Sequence, residues 1–376
     1  MRILITTDVY KTMTSGVTES VKNLYNELKG LGNEVKILTV SDDLTSYVDG
    51  DIVYIRSLPL PIYKGIRMPI SYRHALINDI IKWKPDIIHT QSEFFTYQYA
   101  LYISKMTSSP IVHTYHTMYE DYVNYVLPWK KIGRKMVKNF IKYRLKKAKR
   151  VIVPSEKIAK MLKKYPISSP ISVIPTGIDL QKHSRKKISD VSVRRGYSDG
   201  LFLLVYLGRL SKEKNIEEII EFFAEAVKII PETALLIVGD GPQMDALTKL
   251  VEELALEDRV LFTGKVAPEL VPEYYQCADL FVSASTSETQ GLTYIEACAN
   301  GLPLLCRKDD ALLEVIAEGQ NGYTYENEDE FLFYLKKIVE NPSWRAEASK
   351  MSRKISELFD REDFGRSVEK LYKENI

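Results

Sequence analysis

The chain has 376 residues, of which 45% are apolar and 27% are charged, and its formal net charge is +2. These values are typical of a globular protein, and the length favours two domains because a single core rarely grows so large. No run of 18 apolar residues occurs, which excludes a membrane-spanning helix, and the chain enters a strand at once without a signal-peptide pattern.

The charge is distributed unevenly along the chain. Residues 1–180 contain 27 Lys and Arg against 15 Asp and Glu, whereas the remainder contains 25 against 35. This asymmetry indicates two domains with different partners, and an anionic surface as the partner of the first. No nucleic-acid partner is expected.

Short apolar runs alternate with stretches of helical spacing in the first half of the chain. Strands are predicted at 2–7, 35–40, 51–55, 86–90, 111–114 and 151–154, and a helix at 17–30. A polar segment at 181–200, rich in Lys, Ser and Arg, is predicted to link this half to the next.

The same alternation starts again at residue 201. Strands are predicted at 201–208, 234–238, 260–262, 280–282 and 304–306, and helices at 216–230, 242–254, 268–277, 294–299, 311–318, 328–340 and 344–359. The sequence therefore predicts an α/β protein with two doubly wound, Rossmann-like domains facing a cleft. The domains are expected at 1–180 and 181–359, with a helix near 360–376 packing back on the first.

A basic loop follows the first strand of the second half. It contains Gly208, Arg209 and Lys214 and leads into a helix predicted to start near Asn215. Ligands bind at the carboxyl ends of parallel strands, and a helix amino terminus with an Arg and a Lys is a strong site for a diphosphate. A solvated basic loop is the alternative.

Glycines occupy the next two loops. Gly239 and Gly241 permit close backbone approach before a helix that Pro242 opens, although a plain strand-to-helix turn is the alternative. The segment that ends at Val266 has the same form, with Gly264 after a strand, and could present backbone groups to a nucleobase.

Two glutamates stand eight positions apart on either side of Gly291. Glu288 lies in the loop after the strand predicted at 280–282, and Glu296 lies in the following helix. A carboxylate accepts hydrogen bonds through two oxygens, so the pair suits a polyhydroxylated ligand such as a sugar and a ribose. The alternative is one carboxylate favoured by the helix dipole and one solvated carboxylate.

The first half contains two candidate loops. Gly16 lies in the first strand-to-helix loop, where it lets a ligand come close, but the dinucleotide fingerprint and the P-loop are absent. The strand at 111–114 leads to two histidines, and alternation predicts that His113 packs inside while His116 lies beyond the strand end. A lone histidine is more often a satisfied core residue than a functional one.

Together these motifs resemble the family 4 retaining glycosyltransferases of the GT-B fold, over nearly the whole chain. The resemblance is carried by Gly208-Arg209…Lys214, Gly239-Asp240-Gly241-Pro242, Glu288…Gln290-Gly291…Glu296 and Ile174-Pro175-Thr176-Gly177-Ile178-Asp179. It implies that Arg209 and Lys214 bind the donor diphosphate, Glu288 the donor sugar and Glu296 the ribose. It also implies that His116 lies beside the transferred sugar and Gly16 beside the phosphates.

The site implied by this resemblance has a catalytic part and a donor-binding part. The catalytic residues are His116, Arg209, Lys214 and Glu288. The donor-binding residues are Gly16, Gly208, Arg209, Lys214, Gly239, Gly241, Val266, Glu288, Gln290, Gly291, Leu292, Thr293 and Glu296.

Two segments, 113–122 and 287–293, are similar to bacterial 1,2-diacylglycerol 3-alpha-glucosyltransferases. The second has Thr289-Gln290-Gly291 where many family members have Gly-Phe-Gly. This similarity implies transfer of a hexose, glucose foremost, from a UDP-sugar to a lipid acceptor by an enzyme on the inner face of the plasma membrane. A glycosylated lipid or a cell-surface polysaccharide remains open as acceptor, as does a catalytically idle GT-B partner protein.

No metal or cofactor is expected. Asp49-Gly50-Asp51 matches an Asp-x-Asp pair, but it precedes a strand and is predicted to be a turn. Cys277, Cys298 and Cys306 lack the spacing of metal ligands and are predicted to be buried thiols. Arg209, Lys214 and a helix terminus can stabilise a leaving diphosphate without a cation.

A basic stretch at 130–150 contains 11 Lys and Arg and no acidic residue, with apolar residues at helical spacing. A basic amphipathic helix suits the surface of an anionic membrane. The predicted membrane-binding residues are Lys130, Lys131, Arg134, Lys135, Lys138 and Lys142, and a loop with Leu58, Ile62 and Met68 could add apolar contact. The alternative is that the apolar face packs on the sheet and the basic face is solvated.

Overall fold

The computed structural model describes residues 1–11, 15–60, 67–118, 130–165, 167–183 and 200–376, with the backbone alone for 130–134. These residues divide into two compact units. Unit 1 comprises Met1–Ile178 and Asp360–Ile376, and unit 2 comprises Asp179–Phe359. Most of the predicted linker, 184–199, lies outside the described residues.

A mostly parallel sheet forms the centre of unit 1. Its strands, and those of a separate hairpin, are β1 (Arg2–Thr6), β2 (Glu34–Val40), β3 (Tyr47–Asp49), β4 (Ile52–Ile55), β5 (Ser57–Pro59), β6 (Arg67–Pro69), β7 (Ile87–Thr90), β8 (Ile111–Thr114), β9 (Arg150–Val153) and β10 (Ile171–Val173). The order in the sheet is β10-β9-β8-β7-β1-β2-β4-β3, and only β3 pairs antiparallel. The turn predicted at Asp49–Asp51 is confirmed, because it joins β3 to β4.

Helices cover both faces of this sheet. They include α1 (Gly16–Gly30), α2 (Ala75–Trp83), α3 (Phe95–Thr107), α4 (Lys130–Leu145) and α5 (Glu156–Lys163). Successive residues of a strand point to opposite faces, so Ile3 and Ile5 pack against α1 whereas Leu4 packs in the cluster that contains Ile141 and Leu145 of α4.

Unit 2 contains a second parallel sheet. Its strands are β11 (Phe202–Leu207), β12 (Thr233–Val238), β13 (Val260–Gly264), β14 (Leu280–Ser283), β15 (Leu304–Arg307) and β16 (Gly322–Tyr325). Their order in the sheet is β13-β12-β11-β14-β15-β16. The helices are α6 (Leu180–His183), α7 (Ile216–Ile229), α8 (Met244–Glu253), α9 (Val271–Cys277), α10 (Leu292–Ala299), α11 (Glu328–Val339) and α12 (Pro342–Ser356). After β11 the chain forms β12 on one side of β11, and it later forms β14 on the opposite side. This reversal places a topological switch point between β11 and β14.

The last helix, α13 (Arg361–Lys373), packs on α1 in unit 1. Arg361 forms an ion pair with Glu27 at 2.9 Å. A Cβ added to Gly365 would lie 2.5 Å from the Cβ of Glu27, so the two helices approach too closely for a larger residue.

One predicted helix is wrong. The segment 311–318 contains only a 3₁₀ turn at Asp310–Leu312. The side chain of Asn321, which is fully buried, donates to the carbonyl of Val315 and accepts from the N–H of Ala317. These two backbone groups therefore form their hydrogen bonds with a side chain rather than within a helix. The three cysteines are buried thiols, as predicted.

Candidate functional site

The loops that follow β11 and β14 meet at the switch point of unit 2. The Nζ of Lys214 donates to Oε1 of Glu288 at 2.6 Å, and the two side chains are 23% and 15% exposed. The hydroxyl of Ser287 donates to the carbonyl of Glu213 at 3.0 Å. These contacts bring together a cation and a carboxylate that are 74 positions apart in the chain.

Glycines allow the neighbouring loops to pack backbone against backbone. A Cβ on Gly239, whose φ is +139°, would lie 1.9 Å from the carbonyl oxygen of Gly208. A Cβ on Gly241 would lie 2.2 Å from the carbonyl oxygen of Leu210. Gly239 and Gly241 therefore lie close to the backbone of the loop that contains Arg209. A larger residue at either position would displace that loop.

Helix α10 begins at the same edge of the sheet. Gly291 precedes it with a φ of +80°, and a Cβ there would lie 2.5 Å from the ring of Tyr294. Leu292 and Thr293 form the first turn, and the side chain of Gln290 is buried just before it. The first N–H groups of a helix lack partners within the helix, so this terminus can receive an anion.

Glu296 lies in α10 and contacts a residue that sequence reasoning missed. The hydroxyl of buried Tyr275 lies 3.0 Å from Oε2 of Glu296, to which it can donate its one hydrogen, and 3.2 Å from the carbonyl oxygen of Thr293. Burial, and then the charge of Glu296, raise the pKa of Tyr275 well above 10. Tyr275 therefore remains a hydrogen-bond donor that fixes one oxygen of the carboxylate.

The remaining predicted donor residues of unit 2 lie in loops at this edge. Arg209 is exposed after β11, and Val266 is half-buried after β13. The N–H of Gly239 donates to the carbonyl of Gly264 at 3.1 Å, which ties the loops after β12 and β13 together. Gly16 belongs to unit 1, where it is the first residue of α1.

In unit 1, the two histidines lie as predicted. His113 is fully buried in β8, where its Nε2 lies 3.2 Å from Glu93 Oε1 and its Nδ1 lies 2.7 Å from Thr90 Oγ1. His116 follows β8 and is half-buried, and its Nε2 donates to Oε1 of Gln91 at 2.6 Å. Burial, assisted by His113, lowers the pKa of His116 from 6.5 to about 3, so its imidazole is neutral at physiological pH.

Sequence reasoning also missed a buried acid at the switch point of unit 1, between β1 and β7. Asp8 is 3% exposed, its N–H donates to Ser92 Oγ, and its Oδ1 accepts from the N–H of Thr96 at 2.7 Å. Within the described ranges, Oδ2 has no hydrogen-bond partner. Burial raises the pKa of this carboxyl to about 6. Its position two residues after the first strand was the available signal.

Helix α4 packs differently from the predicted membrane helix. Ile141, Leu145 and Ala148 are buried in the core of unit 1, so most of the apolar face is not available to lipid. Arg144 is also buried, with its guanidinium 4.9 Å from the ring centre of Tyr97.

Part of the predicted basic surface is present on the outer face of α4. Lys135 and Lys138 are exposed, Lys142 is half-buried, and Met136 is 67% exposed. The side chains of Lys130, Lys131 and Arg134 lie outside the described residues, as does Ile62. Within the described ranges, none of the helices combines the length and apolar character that a bilayer crossing requires.

A metal site requires several ligating side chains at one place. Among the described residues, no cluster of three or more His, Cys, Asp or Glu side chains is arranged to hold a metal ion. The charge of Glu288 is met instead by Lys214.

Comparison with known proteins gives two family matches. Residues 14–182 match the family described as Glycosyltransferase Family 4, and residues 191–355 match the glycosyl transferases group 1. The alpha-monoglucosyldiacylglycerol synthase of Streptococcus pneumoniae is 35% identical over 100% of this chain and 86% of its own length. The enzyme of the same name from Acholeplasma laidlawii is 30% identical over 99% of this chain and 96% of its own.

Solved structures share the fold. Sucrose-phosphate synthase from Thermosynechococcus elongatus superposes with a TM-score of 0.81 at 22% identity, covering 99% of this chain and 98% of that one. Anabaena HepE in complex with UDP-glucose gives 0.77 at 18% identity, with all of both chains covered. The chain therefore belongs to the family 4 glycosyltransferases of the GT-B fold and is related to the alpha-monoglucosyldiacylglycerol synthases.

Proposed function

We propose that the protein transfers a hexose, glucose foremost, from a UDP-sugar to diacylglycerol, with retention at the anomeric carbon. The contact between Lys214 and Glu288 at the switch point of unit 2 carries the donor part of this proposal. The relatives named alpha-monoglucosyldiacylglycerol synthases support the lipid acceptor. The complex of Anabaena HepE with UDP-glucose supports the donor.

The leaving diphosphate is assigned to Arg209, Lys214 and the start of α10. An ammonium group has three N–H donors, and Lys214 uses one of them for Glu288. The others can reach phosphate oxygens, whose negative charge grows as the glycosidic bond breaks. Donors that are already in place favour this charged transition state over the ground state, which lowers the barrier.

Glu288 is assigned to the hydroxyls of the donor sugar and Glu296 to the ribose. Lys214 orients the first carboxylate and Tyr275 the second, so both acceptors are fixed before a ligand binds. His116, which is neutral, is assigned to the transferred sugar.

Retention follows, in this proposal, from attack of the acceptor hydroxyl on the face that the diphosphate leaves. A departing phosphate oxygen then takes the hydroxyl proton. A two-step route would instead need a carboxylate on the opposite face of the sugar.

A double-mutant cycle on Lys214 and Glu288 tests the donor site. Without Lys214, the carboxylate of Glu288 loses the ammonium group that opposes its charge in the donor site. Lys214→Ala should therefore reduce kcat/KM by a larger factor in the natural background than in Glu288→Gln, with a coupling of about 0.5–3 kcal/mol. Additive losses would mean that the two side chains act on separate groups.

An acceptor screen tests the reaction itself. UDP-glucose, UDP-galactose and UDP-N-acetylglucosamine are each offered with diacylglycerol or monoglucosyl diacylglycerol in mixed micelles. We expect an α-glucoside of diacylglycerol. Transfer to the glucosylated lipid alone would favour the second acceptor class. Neither transfer nor hydrolysis of any UDP-sugar would favour an idle partner protein.

We further propose that unit 1 attaches to the cytoplasmic face of the plasma membrane through the basic face of α4. Because most of the apolar face of α4 packs in the core of unit 1, attachment depends on charge. Each basic residue near an anionic surface contributes about 1 kcal/mol to the binding free energy. Changing Lys135, Lys138 and Lys142 to Glu should abolish sedimentation with phosphatidylglycerol vesicles while UDP binding survives.

The matched control reverses the same number of charges in unit 2. Lys228, Lys249 and Lys350 are exposed, and each forms a short-range helix ion pair whose loss costs little. Their change to Glu should leave vesicle binding intact, and high salt should weaken binding of the natural protein. Equal binding by both triple variants would remove α4 from the proposal.

A further inference from the structure

A line of buried side chains connects the last helix of the chain to His116. The hydroxyl of Tyr372, in α13, lies 2.5 Å from Nδ1 of His89 in β7. The Nε2 of His89 lies 2.6 Å from Thr114 Oγ1 and 3.1 Å from Nε2 of Gln91. The other end of the Gln91 amide, Oε1, lies 2.6 Å from Nε2 of His116.

These side chains are shielded from water, so their hydrogen-bond partners must be other protein groups. Tyr372 and His89 are fully buried, and Gln91 and Thr114 are 3% and 4% exposed. An unmade hydrogen bond at such a depth is costly, which restricts the orientations that the Gln91 amide can adopt.

The orientation of this amide decides the tautomer of His116. An amide oxygen can only accept, so Nε2 of His116 must carry the hydrogen that Gln91 Oε1 receives. In the neutral ring, the lone pair is then on Nδ1. Within the described residues, the structure shows no hydrogen bond to Nδ1.

The far end of the amide supports the same orientation. The Nε2 of Gln91 can only donate, and it lies 3.1 Å from Nε2 and 3.3 Å from Nδ1 of His89, so the amide nitrogen meets a neutral imidazole that has one acceptor nitrogen. Among the described residues, the titratable groups next to His116 include His89 from β7 and His113 from β8, with Tyr372 from α13 beyond them.

We propose that Gln91 is a positioning residue that keeps His116 in its Nε2–H tautomer, supported by His89 and Tyr372, so that Nδ1 accepts a hydrogen bond from a substrate hydroxyl. The substrate part of this inference rests on the proposed function. It makes the activity depend on a tyrosine that lies in the last helix, 256 positions from the histidine it supports.

The tautomer can be measured without any activity. The protein has five histidines, so selective ¹⁵N-histidine labelling and long-range ¹H–¹⁵N spectra give few signals, and a His116→Gln variant assigns the one in question. We expect the Nε2–H form in the unaltered protein and a mixture of forms in Gln91→Met and Tyr372→Phe. The control is Tyr99→Phe, which removes another buried hydroxyl bond of unit 1, to the carbonyl of Ser71, and should change nothing.

Kinetics adds a second readout. Gln91→Met should lower kcat about tenfold with little change in KM for the donor, in line with the loss of one buried hydrogen bond. Gln91→Glu places a carboxylate against His116 Nε2–H, which favours the protonated ring and raises its pKa. That variant should lose activity as pH falls through the new pKa, because Nδ1 becomes protonated, whereas the unaltered protein shows no such limb above pH 5.

An Nδ1–H tautomer in the unaltered protein would overturn the inference, and so would a tautomer and kcat that Gln91→Met leaves unchanged. Failure of the proposed function looks different, because it would appear as no transfer by the unaltered protein while the tautomer spectrum stayed as expected. If Gln91→Met does not fold, the pH profile of Gln91→Glu decides, and an unshifted profile would count against the inference.

Discussion

Replacing Asp8 by asparagine tests the electrostatics at the switch point of unit 1. Burial raises the pKa of Asp8 from 3.8 to about 6, the hydrogen bond from the N–H of Thr96 opposes the rise, and the charge of Glu93 adds to it. The folded protein therefore keeps a proton that the unfolded chain loses near pH 4. The stability that this proton contributes is fully present below pH 3.8 and is lost as pH rises through about 6.

The magnitude follows from the size of the shift. About 2 pKa units correspond to about 3 kcal/mol in the free energy of unfolding, of which about half is lost between pH 5 and pH 8. Asparagine does not titrate, and its oxygen can still accept from the N–H of Thr96. The melting temperature of Asp8→Asn, relative to the natural protein, should therefore rise by about 3–6 °C from pH 5 to pH 8.

Calorimetric melting at several pH values and constant ionic strength measures this difference. Asp51→Asn is the control, because hydrogen bonds from Lys29 and then Tyr25 lower the pKa of Asp51. Its contribution is present above the ordinary pKa and is lost only at lower pH, so its melting difference should stay flat from pH 5 to pH 8. An equally flat difference for Asp8→Asn, or one that falls with pH, would refute the reasoning.

Three further expectations concern the donor site. Arg209→Ala should lower kcat about 10²-fold while UDP affinity changes little, because the charge on the diphosphate grows as the bond breaks, and kinetics within a fewfold of normal would contradict this. In calorimetric titrations, Glu296→Gln should weaken UDP binding, whereas Glu288→Gln should leave UDP binding nearly intact and lower transfer. Equal losses of UDP affinity in the two variants would contradict the separate roles assigned to these glutamates. EDTA should leave most activity in place, and a loss that Mg²⁺ or Mn²⁺ restores would show that a cation takes part.

The sequence predicted the strands and helices best where burial alone determines them. The run 202–207 is apolar throughout and forms a central strand, and alternation correctly separated buried His113 from His116. The same reasoning failed at 311–318, which has apolar residues at helical spacing. There, the side chain of Asn321, just before β16, forms hydrogen bonds with the backbone groups, and such a contact has no local signal.

The residues around the candidate sites were harder to find. Asp8, Gln91 and Tyr275 are polar residues whose partners come from distant parts of the chain, so their environments exist only after the strands have paired. The spacing of apolar residues in α4 could not distinguish a helix that lies on a membrane from one that packs on a protein core, because both have apolar residues along one face. The structure separates them through the burial of Ile141 and Leu145.

In each half of the chain, the net charge differs in sign from the charged residues at the switch point. The acidic second half contains the basic switch point with Arg209 and Lys214, whereas the basic first half contains buried Asp8 and Glu93 at its own. Nearly all of the positive excess of residues 1–180 comes from the 11 Lys and Arg at 130–150, on and after α4. The net charge of the first half therefore comes from one segment, 130–150, while local charges beside strand ends determine the chemistry. Charge reversal on α4 should then remove membrane attachment without touching the donor chemistry, because the two depend on different residues.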